Sequence, residues 1–317
     1  MRTHTVYTYT MLVAEGLEKR FGAVRALRGF SLTVRPGEIV GLVGENGAGK
    51  TTFARAVAGL ITLDAGALRV SGVDVTSTPR AARAVLGWAP QELALYPTIT
   101  ARENLLAFGG LNGLSNREST RRTAELAAAL ELTNVLDRPV GKLSGGQQRR
   151  VQAATAMMHR PAVLLLDEPT VGADPITRQA VLSAVRSMAD EGCAVVYTTH
   201  YLPELEALDA SIAVVKEGRV IARGSRTDLL ASVPGRAVLR YAGPPPPLGA
   251  HVSGARAIQI DGSDVTITAT DPAACVATWL ASHADGVNRL RAIELSPPTL
   301  DDLYRQLLQP TGHSDVA

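Results

Sequence analysis

The sequence is poor in cysteine and in net charge, and each shortage argues against a class of protein. With 2 cysteines in 317 residues, a disulfide framework or a cysteine metal site is not expected. Cys193 and Cys275 lie in apolar or alanine-rich stretches, so both are expected to be small buried residues in a reducing cytosol. The 32 basic and 30 acidic residues leave a formal charge of +2. That balance predicts no general attraction to nucleic acid or anionic lipid, and no nucleic-acid partner is expected.

Long hydrophobic runs are also missing. No stretch approaches the roughly 18 apolar residues that a membrane-spanning helix needs, and residues 1–10 lack the apolar core of a signal peptide. We therefore expect the chain to span no membrane and to lie in the cytoplasm. Hydrophobic residues still make up 46% of the sequence, which suffices for the cores of about two domains.

Strand, loop and helix patterns alternate along the chain, which predicts an α/β fold with a parallel sheet. The apolar strand Glu38–Val43 leads into the glycine-rich loop Gly44–Thr52, and a helical pattern follows over Thr52–Leu60. Val163–Leu166 and Ala194–Thr198 are short apolar runs bounded by polar or turn residues. Both are expected to be buried strands.

A helical subdomain is expected to be inserted at about residues 98–160, where the strand patterns stop. Thr100 and Glu103 form a capping-box pattern, and Ala124–Leu132 is rich in alanine and leucine. A third helix is expected to follow Leu143–Gly146 and to end near Arg160, because the next residue is a proline.

The character of the sequence changes beyond about residue 235. We expect a nucleotide-binding domain over residues 1–235 and a small C-terminal α/β domain over residues 236–317, without catalytic residues. The proline-rich stretch Gly243–Gly249 predicts a stiff linker within or before that domain. The elements expected in it are a hairpin of Ile258–Ile260 and Val265–Ile267, a helix Pro272–Ala281, a strand Arg291–Leu295 and a helix Thr299–Leu308.

The glycine-rich loop has the spacing of a phosphate-binding P-loop. Its backbone amides can wrap phosphates, Lys50 can reach their outer oxygens, and the Thr51 hydroxyl can ligate Mg²⁺. An ordinary glycine-rich turn is the alternative, but the loop follows an apolar strand and opens a helix, as phosphate binding requires. The candidate nucleotide-binding residues are Gly44, Glu45, Asn46, Gly47, Ala48, Gly49, Lys50, Thr51 and Thr52.

Two carboxylates and a histidine are expected at the same edge of the sheet. Asp167 and Glu168 end a strand and point to opposite faces, so they are expected to differ in role. Asp167 is the candidate Mg²⁺ ligand, and Glu168 is the candidate group that orients or activates the attacking water. The alternative is an ordinary acidic turn before Pro169. His200 follows the next strand, where its imidazole can contact a γ-phosphate, but its position alone leaves a structural role equally open.

A second helix start has the features of an anion site. In the pentapeptide Leu143–Gln147, a hydroxyl and two glycines precede a helix. Because the P-loop already wraps one nucleotide, this site has a role only toward a nucleotide held by another chain. Taken alone, the pentapeptide is better explained as a glycine-rich helix cap.

Together these motifs resemble those of ATP-binding cassette (ABC) proteins. GENGAGKT, the glutamine of WAPQE, LSGGQ, VLLLDEP, the aspartate of VGADP and the histidine of TTHY stand in the family's order within residues 11–230. The resemblance implies the P-loop ABC ATPase fold, with ATP and Mg²⁺. It also implies a head-to-tail dimer, homodimeric or heterodimeric, in which two ATP molecules lie between the P-loop of one subunit and the LSGGQ of the other. The LSGGQ residues that it assigns to nucleotide binding are Ser144, Gly145, Gly146 and Gln147.

The resemblance also assigns roles to single residues. Gln91 is implied to ligate Mg²⁺ and to act as a catalytic switch that senses the attacking water. Asp174 is implied to lie in a loop that crosses the dimer interface, and Phe21 to stack on adenine. Ala173 departs from the commoner leucine, which we expect to alter dimer packing more than chemistry.

A finer resemblance concerns the direction of transport. Leu95–Leu105 and Pro298–Leu308, the latter after a small extra domain, are similar to segments of bacterial multidrug and antibiotic exporters of the ABC-2 type. This implies an exporter ATPase bound to a separate transmembrane permease at the cytoplasmic face of the cell membrane. The alternatives are a soluble ABC ATPase acting on ribosomes or nucleic acid, and an importer ATPase.

Overall fold

The computed structural model describes residues 10–231, 233–247, 252–299, 302–303 and 305–306, with the backbone alone for residue 285. The chain divides into two compact units, Met1–Arg223 and Gly224–Ala317. This division falls before the boundary expected after residue 235, because a short helix that precedes that residue belongs to the second unit.

The first unit contains two sheets and seven described helices. A four-stranded antiparallel sheet has the order β2-β1-β4-β5, and a six-stranded sheet has the order β10-β9-β3-β8-β7-β6. The strands are β1 (Leu12–Phe21), β2 (Val24–Val34), β3 (Ile39–Gly44), β4 (Ala65–Val70), β5 (Val73–Asp74), β6 (Leu86–Ala89), β7 (Val163–Asp167), β8 (Ala194–Thr198), β9 (Ser211–Lys216) and β10 (Arg219–Gly224). The helices are α1 (Lys50–Val57), α2 (Pro79–Ala84), α3 (Ala101–Leu111), α4 (Asn116–Ala129), α5 (Gly145–Met157), α6 (Pro175–Asp190) and α7 (Pro203–Ala207).

The parallel part of the six-stranded sheet sets the position of the site. Strands β9, β3, β8, β7 and β6 pair in parallel, so their carboxyl ends lie at one edge. Every residue of β3, β7 and β8 is buried, which explains why their sequences are continuous apolar runs. The expected α/β fold and its three buried strands are confirmed. Helix α1 starts at Lys50, two residues earlier than the expected helix.

The core of the first unit holds α1 against the antiparallel sheet. Phe53 of α1 stacks on Phe30 of β2 with ring centroids 4.5 Å apart, and both side chains are fully buried. Because α1 includes the last residues of the P-loop, Lys50–Thr52, this contact also anchors that end of the loop.

Three helices occupy the stretch that was expected to be helical. Capping boxes begin all three, formed by Thr100 with Glu103 for α3, by Ser115 with Glu118 for α4, and by Ser144 with Gln147 for α5. The alanine-rich stretch forms the end of α4. Helix α5 ends at Met157, before the expected limit of Arg160, whose φ of 50° is left-handed.

The second unit is a four-stranded antiparallel sheet with a helix packed on it. The strand order is β12-β13-β11-β14, and Trp279 is fully buried beneath the sheet, donating from Nε1 to the hydroxyl of Tyr241 at 3.0 Å. The expected hairpin, helix and strand are present. Its elements are α8 (Arg226–Leu230), β11 (Gly235–Tyr241), β12 (Ala255–Asp261), β13 (Asp264–Ala269), α9 (Pro272–Ser282) and β14 (Leu290–Ser296).

Two expectations for this unit fall partly outside the described residues. The described part of the proline-rich stretch, residues 243–247, lies inside the unit, between β11 and β12. Half of the expected final helix, Thr299–Leu308, lies outside the described residues. Among the described residues, no helix is both long enough and apolar enough to cross a membrane.

Candidate active site

A polar cavity of about 340 Å³ opens at the edge of the sheet where β3, β7 and β8 end. It brings together residues from the P-loop, from the ends of two strands and from a loop before the helical stretch. The residues that line it are Asn46, Gly47, Gly49, Lys50, Thr51, Thr52, Gln91, Asp167, Glu168 and His200.

The P-loop needs glycine at two positions where other backbone approaches closely. A Cβ atom at Gly44 would lie 2.5 Å from the carbonyl oxygen of Val215, and one at Gly49 would lie 2.7 Å from that of Ala26. Gly49 also has a φ of 109°, which strains any other residue. The loop therefore packs closely against β9 and β2 at these two positions, where no side chain fits.

The Lys50 side chain lies inside the curve of this loop. Its ammonium donates to the carbonyl oxygens of Gly44 at 2.6 Å and Glu45 at 3.0 Å, and the residue is only 8% exposed. Burial lowers the pKa of Lys50, while the nearby charges of Asp167 and Glu168 act in the opposite direction. An anion bound in the loop can replace the carbonyl oxygens as partners of this cation.

Asp167 has one oxygen held by the protein and one that is free for a ligand. The Thr198 hydroxyl donates to Asp167 Oδ1 and accepts a hydrogen bond of 3.1 Å from the backbone N–H of Glu168. Asp167 Oδ2 is buried and has no hydrogen-bond partner among the described residues. A buried carboxylate oxygen without a partner, in the same cavity as the Thr51 hydroxyl, fits a Mg²⁺ ligand set. No group of three or more His, Cys, Asp or Glu side chains suited to a metal occurs in the described chain.

Glu168 contacts the two other candidate catalytic residues. Its Oε2 accepts a hydrogen bond of 3.1 Å from Gln91 Nε2, and its Oε1 contacts His200 Nε2. The residue is 8% exposed and has a left-handed φ of 50°, a conformation that costs a non-glycine residue about 1 kcal/mol. The fold therefore holds this carboxylate at the cavity wall between an amide and an imidazole.

The loop that carries Gln91 is fastened to helix α5. Gln152 accepts from the Ala94 N–H at 2.8 Å and donates to the Pro90 carbonyl, while Arg149 donates to the Gln91 carbonyl. These contacts join the cavity to the helix that begins at LSGGQ. The sequence analysis missed Arg149 and Gln152; the only signal was a glutamine within an otherwise apolar run of α5.

Thr198 was also missed, although its position is readable once the sheet is known. It is the parallel-register partner of Asp167 at the end of two adjacent strands. A hydroxyl residue that ends a buried strand beside a strand ending in Asp-Glu can bridge both acidic residues.

The LSGGQ residues line a separate cavity of about 460 Å³ in the first unit. Ser144 caps α5, and its hydroxyl accepts from the Gln147 N–H at 3.3 Å. Asp174 lies in this second cavity and caps α6, accepting from the Thr177 N–H at 2.9 Å and hydroxyl at 2.6 Å. The Thr177 hydrogen bonds lower the pKa of Asp174. The two cavities share no lining residue, so one chain presents the P-loop and the LSGGQ as separate sites.

Four candidate nucleotide-binding residues line neither the P-loop cavity nor the LSGGQ cavity. Gly44 and Glu45 instead supply the carbonyl oxygens that hold Lys50, and Ala48 is buried. Phe21 ends β1, is 49% exposed and lies 5.2 Å, centroid to Nζ, from the Lys19 ammonium. Its ring is therefore accessible to a planar partner but is not part of the cavity wall.

Comparison with known proteins identifies the family. Residues 27–171 match the family described as ABC transporter. The chain is 38% identical over 230 residues to the linearmycin resistance ATP-binding protein LnrL of Bacillus subtilis (strain 168), covering 73% of this chain and 74% of that protein. It is 38% identical over 293 residues to the Nod factor export ATP-binding protein I of Burkholderia lata, covering 92% and 94%.

The fold is similar to a solved dimeric ATP-binding cassette in a post-hydrolysis state with ADP and phosphate. The TM-score is 0.63 at 25% identity, covering 68% of this chain and 98% of that one. The sequence relatives, this structural likeness and the P-loop cavity with Asp167 and Glu168 agree. The chain belongs to the ABC transporter family, in which it is an ATP-binding subunit that hydrolyses ATP.

Proposed function

We propose that this ATPase drives the export of a drug, antibiotic or other hydrophobic compound through a separate transmembrane permease. The geometry that supports a hydrolytic motor is the placement of Glu168 between Gln91 and His200, beside the free oxygen of Asp167. Export is supported by the likeness, over nearly the whole chain, to a Nod factor export ATP-binding protein. The resistance protein from Bacillus subtilis supports the same direction of transport.

The proposed roles at the cavity follow from the contacts of each side chain. The P-loop amides and Lys50 bind the phosphates of ATP, and Thr51 with Asp167 Oδ2 holds Mg²⁺. Bound Mg²⁺ neutralises charge on the phosphate oxygens. Glu168 accepts a proton from the attacking water, and Gln91 and His200 orient its carboxylate from either side.

A second ABC subunit completes the site in this proposal. Because the LSGGQ cavity shares no residue with the P-loop cavity, each has an open face that a partner chain can cover. The capping box uses the N–H groups of Ser144 and Gln147, so the helix start offers those of Gly145 and Gly146 to the phosphates of an ATP held by the partner. Asp174 lines that same cavity, which supports its expected place at the dimer interface.

The membrane permease is the other proposed partner, and it places the ATPase on the cytoplasmic face of the cell membrane. The helical stretch is the expected contact, because Gln152 and Arg149 join it to the loop that carries Gln91. The relatives do not favour a ribosomal or nucleic-acid role.

The first test is hydrolysis by Glu168→Gln. The variant keeps the size of the side chain but lacks the basic carboxylate, so ATP binding is retained and turnover falls by at least about 10² to 10³. Near-normal steady-state hydrolysis by the purified variant would remove Glu168 from its role.

The second test separates transport from soluble functions. Tagged Glu168→Gln is purified with ATP from detergent-solubilised membranes and, in parallel, from ribosome pellets. Recovery of a polytopic membrane protein supports the proposal, whereas recovery with ribosomes and no membrane partner contradicts it. Loss of resistance to a hydrophobic antibiotic in host cells carrying Glu168→Gln then assigns the direction of transport.

A further inference from the structure

A buried carboxylate outside the cavity wall organises the loops around it. Glu204, in the first turn of α7, is only 2% exposed. Its Oε1 accepts a hydrogen bond of 2.6 Å from the Thr170 hydroxyl. Its Oε2 accepts from the Tyr197 hydroxyl at 3.0 Å and from the Thr199 hydroxyl at 2.8 Å. Burial, and then the charge of Glu204, raises the pKa of Tyr197 well above its usual value, so this phenol stays a donor.

Arg178 supplies the opposite charge from the first turn of α6. Its Nε lies 3.0 Å from Glu204 Oε1, which is an ion-pair distance, although the N–H does not point at the oxygen as a hydrogen bond requires. Its Nη2 donates to the Ala173 carbonyl at 3.3 Å, and its guanidinium carbon lies 4.7 Å from the centroid of the Tyr201 ring. One guanidinium therefore contacts the loop before α6, the loop after β8 and Glu204.

The partners of Glu204 come from the segments that carry the candidate catalytic residues. Thr170 is two residues beyond Glu168. Thr199 immediately precedes His200, and its hydroxyl accepts from the Tyr201 N–H at 3.0 Å, which closes a turn around the histidine. Glu204 itself lines neither cavity.

We propose that Glu204 and Arg178 are positioning residues that hold the loop of Asp174 and the loop of His200 in one fixed relation. A displacement of the Asp174 loop is then passed through Arg178 and Glu204 to Thr199, and so to the contact of His200 with Glu168. The carboxylate is surrounded by three hydroxyl donors and a cation in a buried site, so moving one partner leaves a buried charge short of a contact unless the carboxylate shifts with it. The inference rests on the proposed function in one respect: the proposed second subunit is what displaces the Asp174 loop.

The test compares two changes that each remove one donor from the same oxygen of Glu204. Thr199→Val removes the hydroxyl next to His200, and Tyr197→Phe removes the phenol hydroxyl of a residue within strand β8. In the purified complex with its permease, we expect kcat to fall about 3- to 30-fold in Thr199→Val and clearly less in Tyr197→Phe. ATP affinity by calorimetry changes less than about twofold in both, because neither residue lines the cavity.

Glu204→Gln extends the test. It replaces one carboxylate oxygen by an NH₂ group, which is a donor and cannot accept a hydrogen bond from the surrounding hydroxyl groups. We expect the same loss of kcat at unchanged ATP affinity, and no further loss when Arg178→Lys is added. Glu38→Gln is the matched control: Glu38 pairs with Arg223 at 2.9 Å and accepts from Ser211 at 2.8 Å, but lies just before β3, at the other end of the sheet. It should lower the melting temperature and leave kcat unchanged.

The outcomes separate the two proposals. Equal kcat losses in Thr199→Val and Tyr197→Phe would overturn the positioning role. So would a loss of kcat in Glu38→Gln of the same size as in the other variants at a similar fall in melting temperature, because kcat would then simply follow stability. If all these variants turn over normally while Glu168→Gln is inactive, the inference fails and the proposed hydrolytic site stands. If Glu168→Gln is also active, the site assignment itself fails.

Discussion

The hydroxyl of Thr198 is the smallest group whose removal tests the geometry of the acidic pair. It donates to Asp167 Oδ1 and accepts from the N–H of Glu168, and the residue is 4% exposed. Thr198→Val keeps the shape of the side chain and leaves Asp167 Oδ1 without its donor. The Glu168 N–H keeps a second acceptor, the Thr198 carbonyl at 3.1 Å. The main effect of the substitution is therefore the hydrogen bond lost by the Asp167 carboxylate.

The magnitude follows from the kind of bond that is lost. A buried hydrogen bond to a charged group contributes about 1.5 to 3 kcal/mol to the free energy of unfolding. For a unit the size of Met1–Arg223, this corresponds to a fall in melting temperature of about 3 to 12 °C. Because Asp167 Oδ2 is the proposed Mg²⁺ ligand, loss of the group that orients the carboxylate should also lower the affinity for Mg²⁺. The Mg²⁺ concentration at half-maximal hydrolysis should rise by about 10- to 100-fold.

The assay measures ATP hydrolysis by the permease complex against free Mg²⁺ at saturating ATP, together with thermal unfolding. Thr198→Ser is the matched control, because it keeps the hydroxyl and should retain the Mg²⁺ dependence. Nucleotide binding in the presence of EDTA should be equal in both variants. A lower melting temperature with an unchanged Mg²⁺ half-saturation would mean that Thr198 is structural only and that Asp167 does not need it to bind the metal.

Three further predictions use other features of the molecule. Gly49→Ala should abolish ATP binding, as measured by calorimetry, because the new Cβ would lie 2.7 Å from the Ala26 carbonyl oxygen and the residue has a φ of 109°. Binding of normal affinity would contradict the need for glycine at this position. Asn46→Cys and Lys142→Cys place cysteines at two exposed positions, the first in the P-loop and the second directly before LSGGQ. With the native cysteines replaced, they should form an interchain disulfide strengthened by ATP in the Glu168→Gln background, whereas a purely intrachain bond would refute the head-to-tail dimer. A chain ending at Arg223 should retain ATP binding, because every residue that lines the P-loop cavity precedes that position; a folded but non-binding product would show that the second unit is required.

Part of this protein could be predicted from the sequence because the signals are local. Strand β8 was predicted with its observed bounds, because a short run of mostly apolar and β-branched residues between polar or turn residues is typical of a buried strand. The capping box at Thr100 and Glu103 was predicted from two residues three positions apart and is present. The glycines of the P-loop indicated tight backbone contacts, and Gly49 makes such a contact with Ala26.

Other features could not be predicted from the sequence, because they depend on contacts between distant segments. The sequence changes character beyond about residue 235, whereas the compact units divide after Arg223, before α8. Gln152 and Gln91 carry no pattern that links them, yet α5 and the loop of Gln91 meet in space. Phe21 was assigned by resemblance; it lies outside the cavity wall, and its stacking on adenine stays a prediction.

The sequence alone therefore determined which residues carry phosphate chemistry and which segments form the parallel sheet, because glycine spacing and apolar runs act over a few residues. Only the tertiary structure decided that Glu168 is held by Gln91 and His200, that Asp167 keeps one oxygen free, and that Glu204 joins the surrounding loops. These contacts require strand order and register, which bring together residues tens of positions apart. Burial then makes each polar contact costly to lose, which a linear sequence cannot display.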